Sequence, residues 1–204
     1  MNAARGAARG LQGVCVFCGS QPGRQAAYAA AARELGAALA RRGITVVYGG
    51  GHIGMMGALA DAALGAGGRV LGVIPQHLMQ PEVAHQNLSE LRVVDTMHTR
   101  KRTMAEHADA FLVLPGGYGT LEEMFEMITW LQLQLQAKPV GLLNVCGFFD
   151  RLLEFLQHAS DEQFIRPQHR GLLLVDTAID ALIDRVAAAA APGAGARPDA
   201  LERS

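Results

Sequence analysis

The chain has 204 residues, half of them hydrophobic, and carries a formal net charge of -1. This length and apolar content suit a single domain with a substantial core. The near-neutral charge argues against nucleic acid as the main partner and favours a small-molecule ligand. No apolar run approaches the roughly 18 residues that a membrane span requires, so we expect no membrane partner.

The three cysteines lack the spacing of a disulfide framework, which favours a cytoplasmic protein. Cys15 and Cys18 fall in an apolar run typical of a strand. Positions three apart on a strand face opposite sides, so we interpret both thiols as small buried hydrophobes rather than as ligands of one metal ion. The seven histidines show no HExxH spacing, and we expect neither a metal nor a cofactor.

Apolar runs alternate with helical patterns along the chain. This alternation predicts an α/β fold, a doubly wound, Rossmann-like parallel sheet of about seven strands with helices on both faces. The runs expected to be strands are 13–18, 44–48, 69–74, 91–94, 111–114, 139–143 and 172–175. The segments expected to be helices are 25–42, 53–66, 96–107, 120–136, 148–157 and 178–190.

All of these elements fit one domain over residues 13–190. Residues 1–12 are expected to be a flexible N-terminal tail. Residues 191–204 are rich in Ala, Gly, Pro and charge, and are expected to be a disordered C-terminal tail.

The most informative stretch is 109–130, in which a buried strand, a glycine turn and a helix follow one another. Three glycines in the turn 115–119 leave the backbone bare, and the helix begins at Thr120 in this interpretation. Free N–H groups and the helix dipole at such a turn favour an anion such as phosphate. The alternative is purely structural, since Thr120 and Glu123 also have the spacing of a capping box.

Glycine turns also follow the first two strands, at Gly19 and at 49–51. The carboxyl ends of parallel strands share one edge of the sheet, so all three turns are expected on that edge, where ligands bind. Ser20 could instead cap the first helix. Neither a convincing dinucleotide fingerprint nor a P-loop is present, which favours a mononucleotide.

Two polar segments have both a functional and a structural interpretation. Loop 75–90 is the longest stretch without periodicity and contains Glu82 and His85, which are either functional or simply solvated. The basic cluster 100–102 is either part of a site or a solvated helix face.

Several of these segments carry a family resemblance. Residues 115–123 (PGGYGTLEE) match the PGGxGTxxE signature of the LOG family of cytokinin riboside 5′-monophosphate phosphoribohydrolases. Further segments similar to that family are VCVFCGS (14–20), VYGGGHIGMMG (47–57), EVAH (82–85), MHTRK (97–101) and KPVGLLNV (138–145). The resemblance spans about 13–186, and Cys146 stands where many members carry an acid.

The resemblance implies cleavage of the N-glycosidic bond of a purine nucleoside 5′-monophosphate, AMP or an N6-modified AMP, with release of the base and ribose 5-phosphate. It also implies a homodimer. The catalytic residues that it implies are Arg100 and Glu123. The substrate-binding residues that we expect are Ser20, Gly50, Glu82, Met97, Lys101, Gly116, Gly117, Tyr118, Gly119, Thr120, Leu121, Glu122 and Thr129.

Two other functional classes remain open at this point. Relatives of this family were labelled lysine decarboxylases, which would require a pyridoxal-binding lysine, and the chain contains only Lys101 and Lys138. A non-catalytic nucleotide or cofactor carrier on the same fold is the second alternative. The presence of both Arg100 and Glu123 argues against a carrier.

Overall fold

The computed structural model of the chain describes residues 10–79 and 84–191. Among them, seven strands form one sheet: β1 (Gly13–Phe17), β2 (Thr45–Tyr48), β3 (Val70–Pro75), β4 (Glu90–Val94), β5 (Ala110–Val113), β6 (Val140–Leu143) and β7 (Leu173–Asp176). Their order is β4-β3-β2-β1-β5-β6-β7, and all neighbouring pairs are parallel. The predicted doubly wound parallel sheet is confirmed.

Six helices occur in the same residues: α1 (Ala26–Arg41), α2 (Gly54–Gly65), α3 (Met97–Glu106), α4 (Tyr118–Gln132), α5 (Asp150–Asp161) and α6 (Ile179–Ala190). Short 3₁₀ segments lie at Gln76–Leu78, Val145–Gly147 and Pro167–Leu172. Helices α1, α2 and α6 cover one face of the sheet, and α3, α4 and α5 cover the other. None of the helices in the described ranges is long and apolar enough to cross a membrane.

The two helical layers produce two halves of the core, one on each face of the sheet. Strand β1 contributes to both, because alternate residues of a strand point to opposite faces. Cys18 packs with the α1, α2 and α6 layer, whereas Cys15 packs with the opposite layer. Both thiols are free and buried, so the prediction that they face opposite sides is confirmed.

The sheet grows in one direction through β2, β3 and β4 and in the other through β5, β6 and β7. This topological switch lies between β1 and β5. The turns after these two strands touch, and the Gly19 N–H donates a hydrogen bond of 3.0 Å to the Pro115 carbonyl. A side chain at Gly19 would crowd the Gly116 backbone at 3.3 Å, so glycine permits the close approach of the two turns.

Several predicted boundaries were wrong. Helix α4 begins at Tyr118 rather than Thr120, and it ends at Gln132 rather than at residue 136 because Gln134 adopts a left-handed φ of 57°. Helix α1 begins after Gln25, which makes no side-chain cap, and Ser20 lies outside that helix. Leu11 is buried in the core, although it was assigned to the N-terminal tail. Most of the expected tails, residues 1–9 and 192–204, lies outside the described residues.

Helices α1 and α2 pack closely through Gly36. A Cβ at this position would lie well inside van der Waals contact with the Leu59 carbonyl oxygen of α2 and 3.2 Å from the Ala63 nitrogen. Both of these are backbone atoms of a helix, so neither can move aside cheaply. The close approach of α1 and α2 therefore depends on glycine at this position.

We predict that Gly36→Ala lowers the free energy of unfolding by about 1–3 kcal/mol, the usual cost of overpacking. This loss should outweigh the helix propensity that alanine gains over glycine, which is about 1 kcal/mol. The matched control is Gly65→Ala, at the end of α2, where a Cβ meets no atom within 4 Å. Urea denaturation should show the control at least as stable as the wild type, and an equally stable Gly36→Ala protein would contradict the packing argument.

Candidate active site

A cleft of about 230 Å³ opens at the carboxyl edge of the sheet, at the topological switch. The ends of β1 and β2, the first turn of α4 and one face of α3 surround it. This is the position at which doubly wound sheets bind ligands. A larger cavity, of about 290 Å³, lies at the opposite edge, where Arg92 already pairs with Glu90 and His107.

The first turn of α4 forms one wall of the cleft. Gly117 is the N-cap residue, and it has no side chain that could accept a hydrogen bond from the N–H groups of the first turn. Thr120 is the third helical residue, and the Glu123 carboxylate accepts a hydrogen bond from Arg100. The capping-box interpretation of Thr120 and Glu123 was therefore wrong.

The glycines of this turn differ in what they permit. A side chain at Gly116 would collide with the Thr120 side chain, so Gly116 is required by packing. A Cβ at Gly117 or Gly119 would meet nothing within 4 Å. The backbone at these two positions is therefore open to a ligand, and the N-terminal end of the helix dipole favours an anion there.

Arg100 and Glu123 form a largely buried ion pair on the floor of the cleft. The Arg100 Nη1 donates to Glu123 Oε1 at 2.9 Å, and the two side chains are only 11% and 10% exposed. The Arg100 Nε donates to the carbonyl of Val73 in β3 at 3.1 Å. Helices α3 and α4, which follow different strands, therefore present one charge of each sign to the same space.

The Glu123 carboxyl has a raised pKa. Burial is the largest cause, because it removes water from the charged form, and the nearby Glu122 raises the pKa further. The Arg100 guanidinium acts in the opposite direction, through its charge and its hydrogen bond. Arg100 therefore keeps Glu123 more readily ionised than burial alone would allow.

Lys101 forms a second ionic cluster beside the cleft. Its Nζ lies 2.5 Å from Glu122 Oε1 and 3.0 Å from Glu126 Oε2. Burial lowers the pKa of the Lys101 ammonium, but the hydrogen bonds to these carboxylates more than compensate and the pKa is raised. The cluster joins α3 to α4 and keeps the Glu122 carboxylate beside Lys101.

His85 is buried rather than solvated, and it is bonded to the glycine turn that follows β2. The His85 N–H donates to the Gly50 carbonyl at 2.9 Å, and Nδ1 accepts from the Asn87 N–H at 3.2 Å. This arrangement leaves the proton on Nε2, which donates to Asp61 at 2.9 Å. Glu82, which precedes this anchor, lies outside the described residues.

The structure brings together about half of the residues predicted to form the site. Those that line the cleft are Ser20, Arg100, Gly117, Tyr118, Gly119, Thr120 and Glu123. The other predicted residues in the described ranges are not among those that line the cleft. They are Gly50, Met97, Lys101, Gly116, Leu121, Glu122 and Thr129.

Five lining residues were missed in the sequence: Val16, Phe17, Cys18, Met56 and Met104. Gly49, which also lines the cleft, belongs to a glycine turn that the sequence predicts at this edge. Two sequence signals could have found most of the missed residues. Residues at the ends of β1 and β2 must reach the carboxyl edge, as Cys18 and Gly49 do. Met104 lies four residues after Arg100 and therefore on the same face of α3.

Comparisons with known proteins place these observations in a family context. A family model described as "Possible lysine decarboxylase" matches residues 56–186. The chain is 51% identical over 170 residues to "Probable cytokinin riboside 5′-monophosphate phosphoribohydrolase LOGL5" of Oryza sativa subsp. japonica, covering 83% of this chain and 69% of that protein. It is 50% identical over 161 residues to cytokinin riboside 5′-monophosphate phosphoribohydrolase LOG1 of Arabidopsis thaliana, covering 79% and 76%.

Solved structures with the same fold include a molybdenum cofactor carrier protein of Chlamydomonas reinhardtii. It is 24% identical, with a TM-score of 0.63, and the match covers 85% of this chain and 94% of that one. The molybdenum cofactor binding protein of Rippkaea orientalis is 20% identical, with a TM-score of 0.65 and the same coverage. At these identities the similarity shows the fold alone.

The raised pKa of Glu123 predicts a pH-dependent stability difference between the wild type and Glu123→Gln. The folded wild type holds the Glu123 proton more tightly than the unfolded chain does. The contribution of Glu123 to the free energy of unfolding is therefore fully present below the ordinary pKa of glutamate. It is lost as the pH rises through the pKa that Glu123 has in the folded protein. Glutamine cannot titrate, so the variant should gain stability relative to the wild type over that window, by about 1.4 kcal/mol per pH unit.

Urea denaturation at several pH values from 4 upward tests this expectation. The difference in unfolding free energy should grow and then level off above the folded pKa. A difference that does not change with pH would show that burial leaves the Glu123 carboxyl unperturbed.

Proposed function

Since this chain belongs to the LOG family of cytokinin riboside 5′-monophosphate phosphoribohydrolases, we propose that it hydrolyses the N-glycosidic bond of adenosine 5′-monophosphate, plain or N6-modified. The products are the free base and ribose 5-phosphate. The observation that carries the proposal is the buried ion pair of Arg100 and Glu123, placed beside an uncapped helix N-terminus in one cleft. An anion site and a buried carboxylate are the two features that this reaction requires.

In this proposal the 5′-phosphate binds at the first turn of α4. The open backbone at Gly117 and Gly119 lets phosphate oxygens approach the free N–H groups, and the helix dipole supplies partial positive charge. The phosphate is remote from the bond that breaks. Its binding energy can therefore fix the position of the ribose over Glu123.

Glu123 is the proposed carboxylate beneath the sugar. As the bond between the anomeric carbon and the base nitrogen breaks, positive charge develops on the ribose ring, and a carboxylate stabilises that charge. Water then supplies the oxygen that bonds to the anomeric carbon, and its proton balances the negative charge left on the base. Arg100 supports this role, because it opposes the effect of burial on the pKa of Glu123.

The structure offers no free lysine for a decarboxylase of the pyridoxal type. Lys101 is held by two carboxylates, which favour the protonated form over the free amine that a Schiff base requires. Lys138 donates to the Ala105 carbonyl at 2.6 Å. These are the only two lysines of the chain.

The structural relatives that carry the molybdenum cofactor share the fold at low identity, which gives no support for a carrier function here. A carrier does not need a buried carboxylate held by an arginine in its cleft. The hydrolase proposal accounts for that costly pair. We further propose that the protein acts in the cytoplasm, where nucleoside monophosphates are found.

We predict that Glu123→Gln lowers the turnover of AMP by two or more decades, or about 3 kcal/mol of transition-state stabilisation at about 1.4 kcal/mol per tenfold. Glutamine keeps the shape of the side chain but cannot offset positive charge on the ribose. Adenine release is measured by chromatography under saturating AMP, and AMP binding by calorimetry, where the variant should still bind.

The matched control is Glu106→Gln, a carboxylate on the exposed face of α3 whose side chain is 61% exposed. It should retain wild-type turnover. Near-normal adenine release by a folded Glu123→Gln protein would refute the catalytic role of this carboxylate.

We also propose that the protein is a homodimer. Leu133 and Leu135, which follow the end of α4, are 58% and 69% exposed, and Phe164 after α5 is 87% exposed. Trp130, by contrast, packs partly into the core of its own protomer. Large apolar side chains that are this exposed often contribute to a protein–protein interface.

Light scattering at micromolar concentration should give twice the mass of one chain. The variant with Leu133→Glu and Leu135→Glu should dissociate at higher concentrations than the wild type, because charge is costly to bury in an apolar interface. The control is Val93→Glu, which alters an exposed apolar residue of β4. A monomeric wild type, or equal dissociation of both variants, would contradict this location of the interface.

A further inference from the structure

The Arg100 guanidinium is fixed by contacts with strand β3, with helix α4 and with the turn that follows β2. Its Nε donates to the carbonyl of Val73 in β3, and its Nη1 donates to Glu123 of α4. The third nitrogen, Nη2, lies against Gly49, the first residue after β2. The direction in which Nη1 points therefore depends on the room that Gly49 leaves for the rest of the guanidinium.

A side chain at Gly49 would remove that room. A Cβ built there would lie well inside van der Waals contact with Arg100 Nη2 and 3.4 Å from Arg100 Cζ. It would also lie 3.2 Å from the sulfur of Met56. All three of these neighbours are side-chain atoms, and no backbone atom is among the nearest contacts.

The backbone at Gly49 does not itself require glycine. Gly50 and Gly54 have left-handed φ values of 78° and 63°, which other residues rarely adopt. Gly49 is not among the residues with positive φ, so an alanine could adopt its conformation. Among the described residues, the atoms that a side chain at this position would meet first belong to the Arg100 and Met56 side chains.

We propose that Gly49 is a positioning residue of the site. Because it has no side chain, it leaves the space that the Arg100 guanidinium needs in order to point toward Glu123. Gly49 acts through Arg100 and need not contact the reacting atoms. The inference deepens the proposed function and rests on it for its effect on turnover. Its effect on the geometry of the ion pair is independent of any reaction.

A methyl group at position 49 should displace the Arg100 guanidinium without preventing folding. The far end of an arginine side chain is flexible, so the protein with Gly49→Ala can fold by displacing Arg100 rather than its backbone. Displacement of the guanidinium lengthens or breaks the hydrogen bond to Glu123. The carboxyl then loses the charge that opposes the effect of burial, and its pKa should rise further.

The first measurement follows the protonation of Glu123 directly. The side-chain carboxyl carbon is titrated by ¹³C NMR, and its signal is assigned by its loss in Glu123→Gln. The inference predicts a higher titration midpoint in Gly49→Ala than in the wild type, with a melting temperature within a few degrees. The control Gly65→Ala should match the wild type in both readouts. An unchanged midpoint in Gly49→Ala would overturn the inference.

The second measurement is a double-mutant cycle on adenine release from AMP with Gly49→Ala and Arg100→Lys. Lysine keeps the charge but has no atom that corresponds to Nη2, so it does not collide with the new methyl group. We expect each single change to lower kcat by about tenfold or more, and the double variant to lose little beyond the worse single variant. As the pH is lowered and Glu123 becomes protonated, the kcat of Gly49→Ala should also begin to fall at a higher pH than the kcat of the wild type.

Losses that multiply fully in the double variant would show that Gly49 acts independently of Arg100 and would overturn the inference. Failure of the proposed function has a different signature, since the wild type itself would then release no adenine. In that case the NMR titration alone decides whether Gly49 positions Arg100.

Discussion

The site depends on one electrostatic constraint, the burial of Glu123 beside Arg100. A carboxylate with so little solvent is costly to ionise, and the guanidinium offsets part of that cost. The two charges come from helices that follow different strands, so the pair exists only when the sheet brings α3 and α4 together. In this way the α/β architecture and the chemistry of the cleft are linked through a single hydrogen bond of 2.9 Å.

The surrounding structure serves to keep that pair in place. Val73 fixes one side of the guanidinium, Gly49 leaves room for the other, and Lys101 pairs with the neighbouring Glu122. The turn before α4 leaves its backbone N–H groups open next to the same space. The cleft thus combines an anion site with a carboxylate that is preorganised for a positively charged sugar.

The fold was predictable from the sequence because the alternation of apolar runs and helices leaves few topologies, and the glycine turns had to share one edge. The details of the site were less accessible. A Thr-x-x-Glu spacing is compatible with a capping box, which is excluded by the start of α4 at Tyr118 and by the hydrogen bond from Arg100 to Glu123. The contacts of Gly49 and Lys101 are long-range, joining segments that no local pattern relates, so their partners could not be read from sequence spacing.

The central claim is that the protein uses the phosphate of a nucleoside monophosphate to hold the ribose over Glu123. A comparison of AMP with adenosine as substrates tests it most directly, with adenine release measured as kcat/KM. We expect at least about a hundredfold preference for AMP, with equal amounts of adenine and ribose 5-phosphate released. Equal rates for the two substrates, or no release of adenine from AMP or N6-modified AMP, would contradict it.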